Sequence, residues 1–275
     1  MARSLALAGR YVVVTGASSG LGREIARVIA RDYHGHVVAV ARRADRLAEL
    51  ARELSERWGA TTLPIVADLT RAADLERCFA EATNGRAVKG VVLNAGVTFY
   101  GQTLSQSAAS VETLLATNAA APVRLAQLFG RYLVAQGEGG GMLLVASMAG
   151  LVPMPYQAVY GGTKALLTSF GLALREELRQ SGVSVSVFAP GGIATEMLDL
   201  SGLSAKFAAD GPGMMSADAC AAAAVRAFVA RRALVVSGAM NRVTAWLMHC
   251  LPRSWVIPTV ARLYRQSSTT EETGR

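Results

Sequence analysis

The chain is 275 residues long, with 52% hydrophobic and 17% charged residues. This composition excludes an intrinsically disordered protein, because enough apolar surface can be buried to offset the entropy lost on ordering. Lysine and arginine outnumber aspartate and glutamate by 28 to 20, and the net charge of +8 is compatible with nucleic acid, an anionic membrane surface or a phosphate-rich ligand as a partner. The arginines are scattered and no run of five like charges occurs, which disfavours nucleic acid.

Short apolar runs alternate with amphipathic stretches, which is the pattern of a parallel sheet covered by helices on both faces. The predicted strands span residues 11–15, 36–41, 61–67, 88–93, 142–146, 183–189 and 234–237. The predicted helices span residues 20–32, 44–58, 72–82, 111–136, 157–180 and 217–231. The alternation and the length predict one α/β domain with a doubly wound, seven-stranded parallel sheet over residues 1–240.

Residues 241–275 are predicted to be a helical extension of the same domain. A first apolar stripe with the i, i+3, i+4, i+7, i+8 spacing of a helix consists of Val243, Trp246, Leu247, Cys250 and Leu251. Pro252 interrupts the pattern, and a second stripe begins at Val256. We expect the two helices, up to residue 266, to cover a ligand entrance or a subunit contact. Contact with a membrane surface through Trp246, Trp255 and interspersed arginines is the alternative, and residues 267–275 are predicted to be disordered.

Neither a disulfide framework nor a metal site is predicted. Cys78, Cys220 and Cys250 are odd in number, far apart and without a CxxC pair, and the three histidines form no cluster. The N-terminus lacks the apolar core of a signal peptide. The uncharged residues 139–163 contain too many glycines and prolines for a lipid-facing helix. We therefore expect a cytoplasmic protein.

A glycine-rich turn, GASSGLG, links the first strand to a helix. Glycines let a backbone approach a pyrophosphate, and a helix N-terminus supplies N–H donors and a positive dipole. The candidate cofactor-binding residues of the turn are Gly16, Ser18, Ser19, Gly20, Leu21 and Gly22. The spacing is GxxxGxG and not the GxGxxG of the usual dinucleotide fingerprint, so an ordinary tight turn is the alternative at this point.

The ends of the next three strands carry further candidates, because ligands of open α/β sheets bind at the carboxyl ends of the strands. After the second strand, Ala41 stands where an NAD-preferring enzyme presents an acid to the ribose 2′-hydroxyl, and Arg42 suits a 2′-phosphate. This favours NADP(H). Arg43 is a further cofactor-binding candidate, and a solvated pair of arginines is the alternative, which is more credible for Arg43 than for Arg42. The third and fourth strands are followed by Asp68 and Leu69 and by Asn94, Ala95 and Gly96.

Ser147, Tyr160 and Lys164 are the candidate reacting group. The spacing of four places Tyr160 and Lys164 on one face of a helix, and Ser147 follows the fifth strand. An ammonium beside a phenol favours the phenolate, so we expect Lys164 to lower the pKa of Tyr160 from about 10 toward neutrality. Such a phenol can protonate an alkoxide to which Ser147 donates a hydrogen bond. Gly161 and Gly162 are expected to make room for a cofactor ribose or a neighbouring backbone.

These motifs resemble those of the short-chain dehydrogenase/reductase family, in its compact single-domain branch. The matching segments, collinear over about residues 8–240, are TGASSGLG (15–22), DL (68–69), NAG (94–96), Ser147, YGGTK (160–164) and PGGIAT (190–195). The resemblance implies a Rossmann-like fold and hydride transfer between a nicotinamide cofactor and a carbonyl or alcohol carbon. It also implies that Tyr160 is the acid/base and that Lys164 holds the nicotinamide ribose.

The resemblance implies roles for further residues. Asn118 matches the family's fourth catalytic residue, whose carbonyl holds a water in a proton relay to the lysine. Pro122 cannot donate a hydrogen bond to that carbonyl, so we expect the carbonyl to be available. A kinked surface helix with an incidental asparagine is the alternative. The segment that wraps the nicotinamide end in the family adds the cofactor-binding candidates Pro190, Gly191, Ile193 and Thr195.

No motif specifies the substrate. Met148 and Met154 are candidate substrate-binding residues beside Ser147 and Tyr160, and residues 197–215 form a largely apolar segment with three methionines. Such walls suit a hydrophobic ketone, for example a 3-oxoacyl chain or a steroid-like ketone. A small hydroxy acid, a sugar or another alcohol is the alternative, and a non-catalytic nucleotide sensor is less favoured. A homodimer or homotetramer is expected, although no feature fixes the number of subunits.

Overall fold

One parallel sheet, with strands in the order β3-β2-β1-β4-β5-β6-β7, organises the computed structural model, which describes residues 4–196, 211 and 213–265. The strands are β1 (Tyr11–Thr15), β2 (His36–Ala41), β3 (Thr62–Val66), β4 (Val88–Leu93), β5 (Gly140–Val145), β6 (Val183–Ala189) and β7 (Leu234–Val236). The strand order reverses between β1 and β4. Ligands of doubly wound sheets bind at the crevice that such a reversal creates. The predicted seven-stranded, Rossmann-like fold is thereby confirmed.

Helices cover both faces of the sheet. Those described are α1 (Gly20–Tyr33), α2 (Ala44–Trp58), α3 (Ala72–Thr83), α4 (Ala108–Leu115), α5 (Ala121–Gln136), α6 (Ala158–Glu177), α7 (Ala217–Val229), α8 (Ala239–Cys250) and α9 (Arg253–Arg265). Side chains of α1, α2 and α7 form the hydrophobic cluster on one face, and side chains of α3, α5 and α6 form the cluster on the other.

Alternate residues of each central strand supply the two clusters. In β1, Val12 and Val14 belong to the cluster with α1, whereas Val13 belongs to the other, as the two-residue repeat of a strand requires. Phe228 of α7 packs over Gly90 and Gly141, where an added Cβ would lie 2.6 and 2.8 Å from its ring. The few aromatic side chains therefore fill space that glycine leaves open in adjacent strands.

Most element boundaries agree with the sequence prediction to within one or two residues. Strand β5 begins at Gly140, two residues before the predicted start, because two glycines resemble a turn in sequence but pair with β6 in the sheet. The predicted helix over residues 157–180 ends at Glu177 and is followed by a 3₁₀ turn, Arg179–Ser181.

The predicted helix over residues 111–136 is the main difference. It is divided into α4, a π-helical turn (Ala116–Ala120) and α5. The N–H of Ala121 bonds to the carbonyl of Ala116, five residues back. Pro122 lacks an N–H and cannot make the regular bond to the carbonyl of Asn118, which explains a widened turn at this place. Asn118 therefore lies in a local departure from α-helical geometry.

The C-terminal extension consists of two helices separated at Pro252, as predicted. The predicted disordered tail, residues 267–275, lies outside the described residues, as do residues 197–210 of the predicted apolar segment. Across the ranges described, no helix combines the length and the apolar character needed to cross a membrane.

Candidate active site

The turn between β1 and α1 is packed tightly against the end of β4. Gly16 and Gly20 have φ values of +71° and +53°, which residues with side chains rarely adopt. A Cβ on Gly16 would lie 2.9 Å from the Cα of Ala95, and a Cβ on Gly22 would overlap the carbonyl oxygen of Gly16. Close backbone packing therefore requires glycine at positions 16 and 22, and the backbone conformation of the turn favours glycine at positions 16 and 20.

The N-terminus of α1 suits an anion. Ser19 makes no side-chain capping bond, and the first turn contains no acidic residue. Uncapped N–H groups and the helix dipole both favour negative charge at this position. The guanidinium of Arg43 places a positive charge beside this helix N-terminus, because its Nη2 donates to Ser18 Oγ at 3.0 Å and to Ser19 Oγ at 2.5 Å.

The two arginines after β2 differ in their surroundings. Arg43 is engaged with Ser18 and also forms an ion pair with Glu196 at 3.3 Å. Arg42 is exposed, and within the described part of the chain its side chain donates no hydrogen bond. Both arginines are exposed, and Arg43 is the one that also contacts the glycine turn. Two hydrogen bonds from Thr70, with a smaller contribution from the charge of Arg42, hold the pKa of Asp68 below its usual value.

Asn94 ties the carboxyl end of β4 to that of β1. Its Nδ2 donates to the carbonyl of Thr15 at 3.0 Å. Its backbone N–H and that of Ala95 donate to Thr15 Oγ1 at 2.9 and 3.0 Å. These bonds hold the predicted residues Asn94, Ala95 and Gly96 beside the glycine turn.

Asn118 is fully buried and clamps the backbone of Val97. Its Oδ1 accepts from Val97 N at 2.9 Å, and its Nδ2 donates to Val97 O at 2.8 Å and to Thr163 Oγ1 at 3.3 Å. A Cβ on Gly96 would lie 3.3 Å from Asn118 Oδ1 and 3.4 Å from Lys164 Nζ. The alternative of an incidental asparagine on a surface helix is therefore excluded, and glycine at position 96 keeps the space between Asn118 and Lys164 open.

Ser147, Tyr160 and Lys164 come together as the sequence predicts. Ser147 lies just after β5, its Oγ accepts from Ala149 N at 3.1 Å, and its hydroxyl is near enough to the Tyr160 phenol to lower the pKa of that phenol. Lys164 is buried one turn further along α6, with Nζ 5.8 Å from the centroid of the Tyr160 ring and 3.0 Å from the carbonyl oxygen of Val145.

The pKa values at this site depart from the sequence-based expectation. Burial raises the pKa of Tyr160 above its usual value near 10, and the hydrogen bond with Ser147 opposes this effect. Burial lowers the pKa of Lys164 to about 8. The prediction that Lys164 brings the phenol toward neutrality is therefore wrong for this geometry, since the ammonium is bonded to Val145 and loss of solvent dominates at Tyr160.

Only one of the two glycines after Tyr160 is in a crowded place. A Cβ on Gly161 would lie 2.9 Å from the carbonyl oxygen of Ala149, whereas no atom lies within 4 Å of a Cβ on Gly162. The predicted close approach of a neighbouring backbone is confirmed for Gly161. The space beside Gly162 is open, and room for a cofactor ribose there stays a prediction.

The loop after β6 is fastened on two sides. The carbonyl of Pro190 accepts from Met148 N at 2.9 Å, and Gly192 O accepts from Met215 N at 3.0 Å. Asn241, at the start of α8, donates through Nδ2 to Gly213 O at 2.9 Å. The loop that contains the predicted residues Gly191, Ile193 and Thr195 is thereby held between β5 and α8.

One cavity of about 590 Å³ collects the candidate residues, and this volume lies within the usual range for small-molecule sites. All predicted cofactor- and substrate-binding residues line it, and Asn118 is the one predicted catalytic residue behind its wall. The predicted substrate residues Met148 and Met154 are both on this wall.

Sequence reasoning did not identify every residue of this wall. Gln157, Asn241, Met248, Val260 and Tyr264 line it as well. The apolar stripe of the second extension helix contained a signal for Val260 and Tyr264, whereas Gln157 and Asn241 belong to no recognisable motif. Among the described residues, no three His, Cys, Asp or Glu side chains are grouped so that they could hold a metal ion.

Comparison with known proteins gives a consistent result. A family model described as short chain dehydrogenase matches residues 10–203. "Probable oxidoreductase EphD" of Mycobacterium tuberculosis is 34% identical over 196 residues, which are 70% of this chain but only 33% of EphD. "Sulfoacetaldehyde reductase 2" of Chromohalobacter salexigens is 35% identical over 67% of this chain and 73% of its own length. "Very-long-chain 3-oxoacyl-CoA reductase" of Laccaria bicolor is 33% identical over 64% of this chain and 53% of its own.

Solved structures share the fold. A short-chain dehydrogenase from Sphingobium yanoikuyae in complex with NADPH has a TM-score of 0.77 and 29% identity, covering 88% of this chain and 96% of its own. The "bulky-bulky ketone specific alcohol dehydrogenase" from Comamonas testosteroni has a TM-score of 0.73 and 26% identity, covering 88% and 95%. A Burkholderia phymatum protein in complex with NAD has a TM-score of 0.81 over 89% and 94% at 23% identity, which shows the fold alone.

Proposed function

The chain belongs to the short-chain dehydrogenase/reductase family of oxidoreductases, and from this premise we propose that it interconverts a hydrophobic ketone and a secondary alcohol with NADP(H). The observation that carries the proposal is that Ser147, Tyr160 and Lys164 line the same cavity as the glycine turn. The phenol therefore opens onto the same space as the predicted cofactor cradle. A nucleotide sensor has no need of such an arrangement.

The residues of the cavity fit a nicotinamide dinucleotide. The turn has glycine at positions 16 and 22, where the Cβ of any other residue would collide with neighbouring backbone. The N-terminus of α1, beside the turn, is suited to phosphate. We propose that the residues holding the cofactor are those predicted in the turn, together with Arg42, Arg43, Asp68, Leu69, Asn94, Ala95, Gly96, Tyr160, Lys164, Pro190, Gly191, Ile193 and Thr195. When bound, the nicotinamide ring supplies or accepts the hydride.

The protein's own groups manage the proton. The raised pKa of Tyr160 keeps its phenol protonated at neutral pH, which is the state that donates a proton to the oxygen of a reduced ketone. Ser147 lies beside that phenol and can donate a hydrogen bond to the same substrate oxygen. Lys164, with a pKa of about 8, is largely charged at pH 7 and stabilises the phenolate that remains after proton donation. Asn118 positions Val97 in the wall beside Lys164.

The choice of NADP(H) rests on the end of β2. Ala41 presents no carboxylate, and the exposed guanidinium of Arg42 has no competing side-chain hydrogen bond within the described residues. Charge-assisted bonds from such a group to a 2′-phosphate contribute about 1.5–3 kcal/mol, which corresponds to roughly ten- to a hundred-fold preference over NAD(H).

The substrate class rests on the walls near Tyr160. Met148, Val152 and Met154 of the loop after β5 and Met248 and Val260 of the extension form apolar surface on the cavity. Flexible methionine side chains suit an apolar ligand of variable shape. A 3-oxoacyl chain or a steroid-like ketone therefore fits better than a small polar substrate.

The test is the rate of NADPH oxidation by the purified protein against ketones of graded chain length, with sulfoacetaldehyde as the small anionic competitor. We expect kcat/KM to rise with apolar size. A higher kcat/KM for sulfoacetaldehyde than for the apolar ketones would show that the substrate class is small and polar. If NADPH is not oxidised with any carbonyl, the proposed reaction is contradicted.

We further propose a homo-oligomer of two or four chains. Leu166 and Leu172 of α6 are exposed apolar side chains on an outer helix, which supports a subunit contact there. Light scattering on the eluted protein measures the number of subunits, and a monomer at micromolar concentration would contradict this.

A further inference from the structure

Helix α8 turns its apolar stripe toward solvent. Val243, Trp246, Leu247 and Leu251 recur at helical spacing and are all exposed, Trp246 to 64%. Scattered exposed apolar residues are normal, but a contiguous row of this kind marks a binding surface. The predicted stripe therefore exists, yet most of its side chains point away from the domain.

Helix α9 has one face toward the domain and one toward solvent. Val256 and Val260 are buried, whereas Trp255 is 67% exposed. Leu263 is half exposed and also lines the cavity, so it lies where the cavity meets the surface. The two outer faces together are called the C-terminal surface here; its apolar members are Val243, Trp246, Leu247, Leu251 and Trp255.

The charge of these two helices has a single sign. Residues 239–265 contain no aspartate or glutamate, and their four arginines are Arg242, Arg253, Arg262 and Arg265. All four are exposed, and Arg265 also donates to the hydroxyl of Tyr156 at 3.1 Å. Exposed tryptophans among arginines on amphipathic helices are the pattern of a segment that lies in a bilayer interface.

We propose that the C-terminal surface docks on a lipid bilayer that contains anionic phospholipids. The tryptophans and leucines would enter the boundary between headgroups and acyl chains, and the arginines would stay at the level of the phosphates. Helices α8 and α9 have 12 and 13 residues, short of the roughly 20 needed to span the hydrocarbon core, so they lie along the surface.

A second copy of the chain fits this surface less well than a bilayer. A two-fold contact places the same surface on both sides, so the arginines of one copy would meet those of the other. Residues 239–265 have no carboxylate to neutralise them. An anionic bilayer supplies the opposite charge over the whole surface.

Docking also connects the bilayer with the cavity. Met248 of α8 and Val260, Leu263 and Tyr264 of α9 line the cavity, while the same helices carry the exposed surface. A ketone with a long apolar chain can then enter from the lipid side without crossing water. This second step rests on the proposed function, whereas docking itself does not.

Docking is tested by sedimentation of the full chain with vesicles, without substrate or cofactor. One set is phosphatidylcholine alone, and the other contains about 30% phosphatidylserine. We expect binding to the anionic set that weakens at high salt. Arg242→Gln with Arg253→Gln should reduce it about tenfold or more, and Trp246→Ala with Trp255→Ala should also reduce it. Arg52→Gln with Arg179→Gln removes the same charge from exposed positions elsewhere and should leave binding unchanged.

Each other outcome overturns docking. Equal binding to both vesicle sets, or equal losses in the two arginine pairs, would show that the C-terminal surface does not recognise anionic lipid. No binding, with a dimer that Trp246→Ala and Trp255→Ala dissolve, would assign the surface to a second copy. If the chain neither binds vesicles nor forms such a dimer, the C-terminal surface has no role in lipid binding.

Delivery is tested separately by activity. With a long-chain ketone held in anionic vesicles, Arg242→Gln with Arg253→Gln should lower kcat/KM about tenfold, while the rate with a short water-soluble ketone stays at the wild-type value. Equal rates of wild type and variant on the vesicle-held ketone would overturn delivery. Loss of activity on both ketones by the wild type would instead count against the proposed function and leave the sedimentation result standing.

Discussion

Tyr160 and Lys164 lie one turn apart on α6, with the lysine Nζ 5.8 Å from the centroid of the tyrosine ring. The ammonium donates to the carbonyl of Val145, whereas the phenol lies beside Ser147. The two groups therefore share a cavity without being a direct hydrogen-bonded pair. Burial raises the pKa of the Tyr160 phenol, which keeps the phenol protonated. Burial lowers the pKa of the Lys164 amine, which therefore loses its proton more readily.

The buried lysine makes stability depend on pH. The folded chain loses the Lys164 proton near pH 8, whereas the unfolded chain keeps it up to the usual pKa of 10.5. Between these values the unfolded chain binds more protons, so this group raises the free energy of unfolding as pH rises. Below pH 8 the cost of the buried charge is fully present.

We expect this contribution to vanish in Lys164→Met, which has a side chain of similar shape without the charge. Urea denaturation at pH 7, 8, 9 and 10 should show the wild type gaining stability relative to the variant, by at most about 1.4 kcal/mol per pH unit. A difference that is constant across this range would contradict the assigned pKa direction.

The two glycines after Tyr160 provide a matched pair of substitutions. Gly162→Ala should stabilise the protein by up to about 1 kcal/mol, because no atom lies near the added methyl group and alanine favours a helix. Gly161→Ala should destabilise it, because the Cβ would press on the carbonyl of Ala149 beside Ser147. Thermal unfolding of both variants measures the difference. Equal effects in the two would show that the loop after β5 adapts freely.

Asn118 should contribute to stability as well as to the site. Asn118→Ala leaves the N–H and C=O of Val97 without their partners, and we expect a loss of about 1–3 kcal/mol in the free energy of unfolding. Asn84→Ala, at an exposed position after α3, should change it by less than about 0.5 kcal/mol. A neutral Asn118→Ala would mean that water replaces both hydrogen bonds.

The sheet and most of the site could be predicted because they follow local rules. Unbroken runs such as that of β1 indicate strands buried on both faces, and the side chains that follow them meet at one edge of the sheet. The glycine turn and the Tyr160–Lys164 spacing predicted the cavity in this way.

What could not be predicted depends on contacts between distant segments. Asn241 reaches the cavity from the extension, and no pattern near it indicates that end point. The π-helical turn depends on the packing around Asn118 as well as on Pro122, and only the proline is visible in the sequence. The pKa of Tyr160 depends on burial, which the spacing of four does not contain.

Cofactor preference tests the difference between the two arginines. Arg42→Ala should reduce the preference for NADPH over NADH about ten- to a hundred-fold, and Ala41→Asp with Arg42→Ala should reverse it. Arg52→Ala, in an exposed part of α2, is the control and should leave the ratio unchanged. The ratio of kcat/KM for the two cofactors with one ketone is the measurement, and equal use of both by the wild type would contradict a role for Arg42.

The central claim is that Tyr160 exchanges the proton with the substrate oxygen. The most direct measurement is single-turnover oxidation of NADPH with a saturating ketone, by Tyr160→Phe and by Tyr132→Phe, in which the hydroxyl removed is bonded to the carbonyl of Arg86 outside the cavity. We predict that Tyr160→Phe is at least about a hundred-fold slower with unchanged NADPH affinity, and that Tyr132→Phe is near the wild-type rate. A Tyr160→Phe enzyme that reduces the ketone as fast as the Tyr132→Phe enzyme would contradict the account.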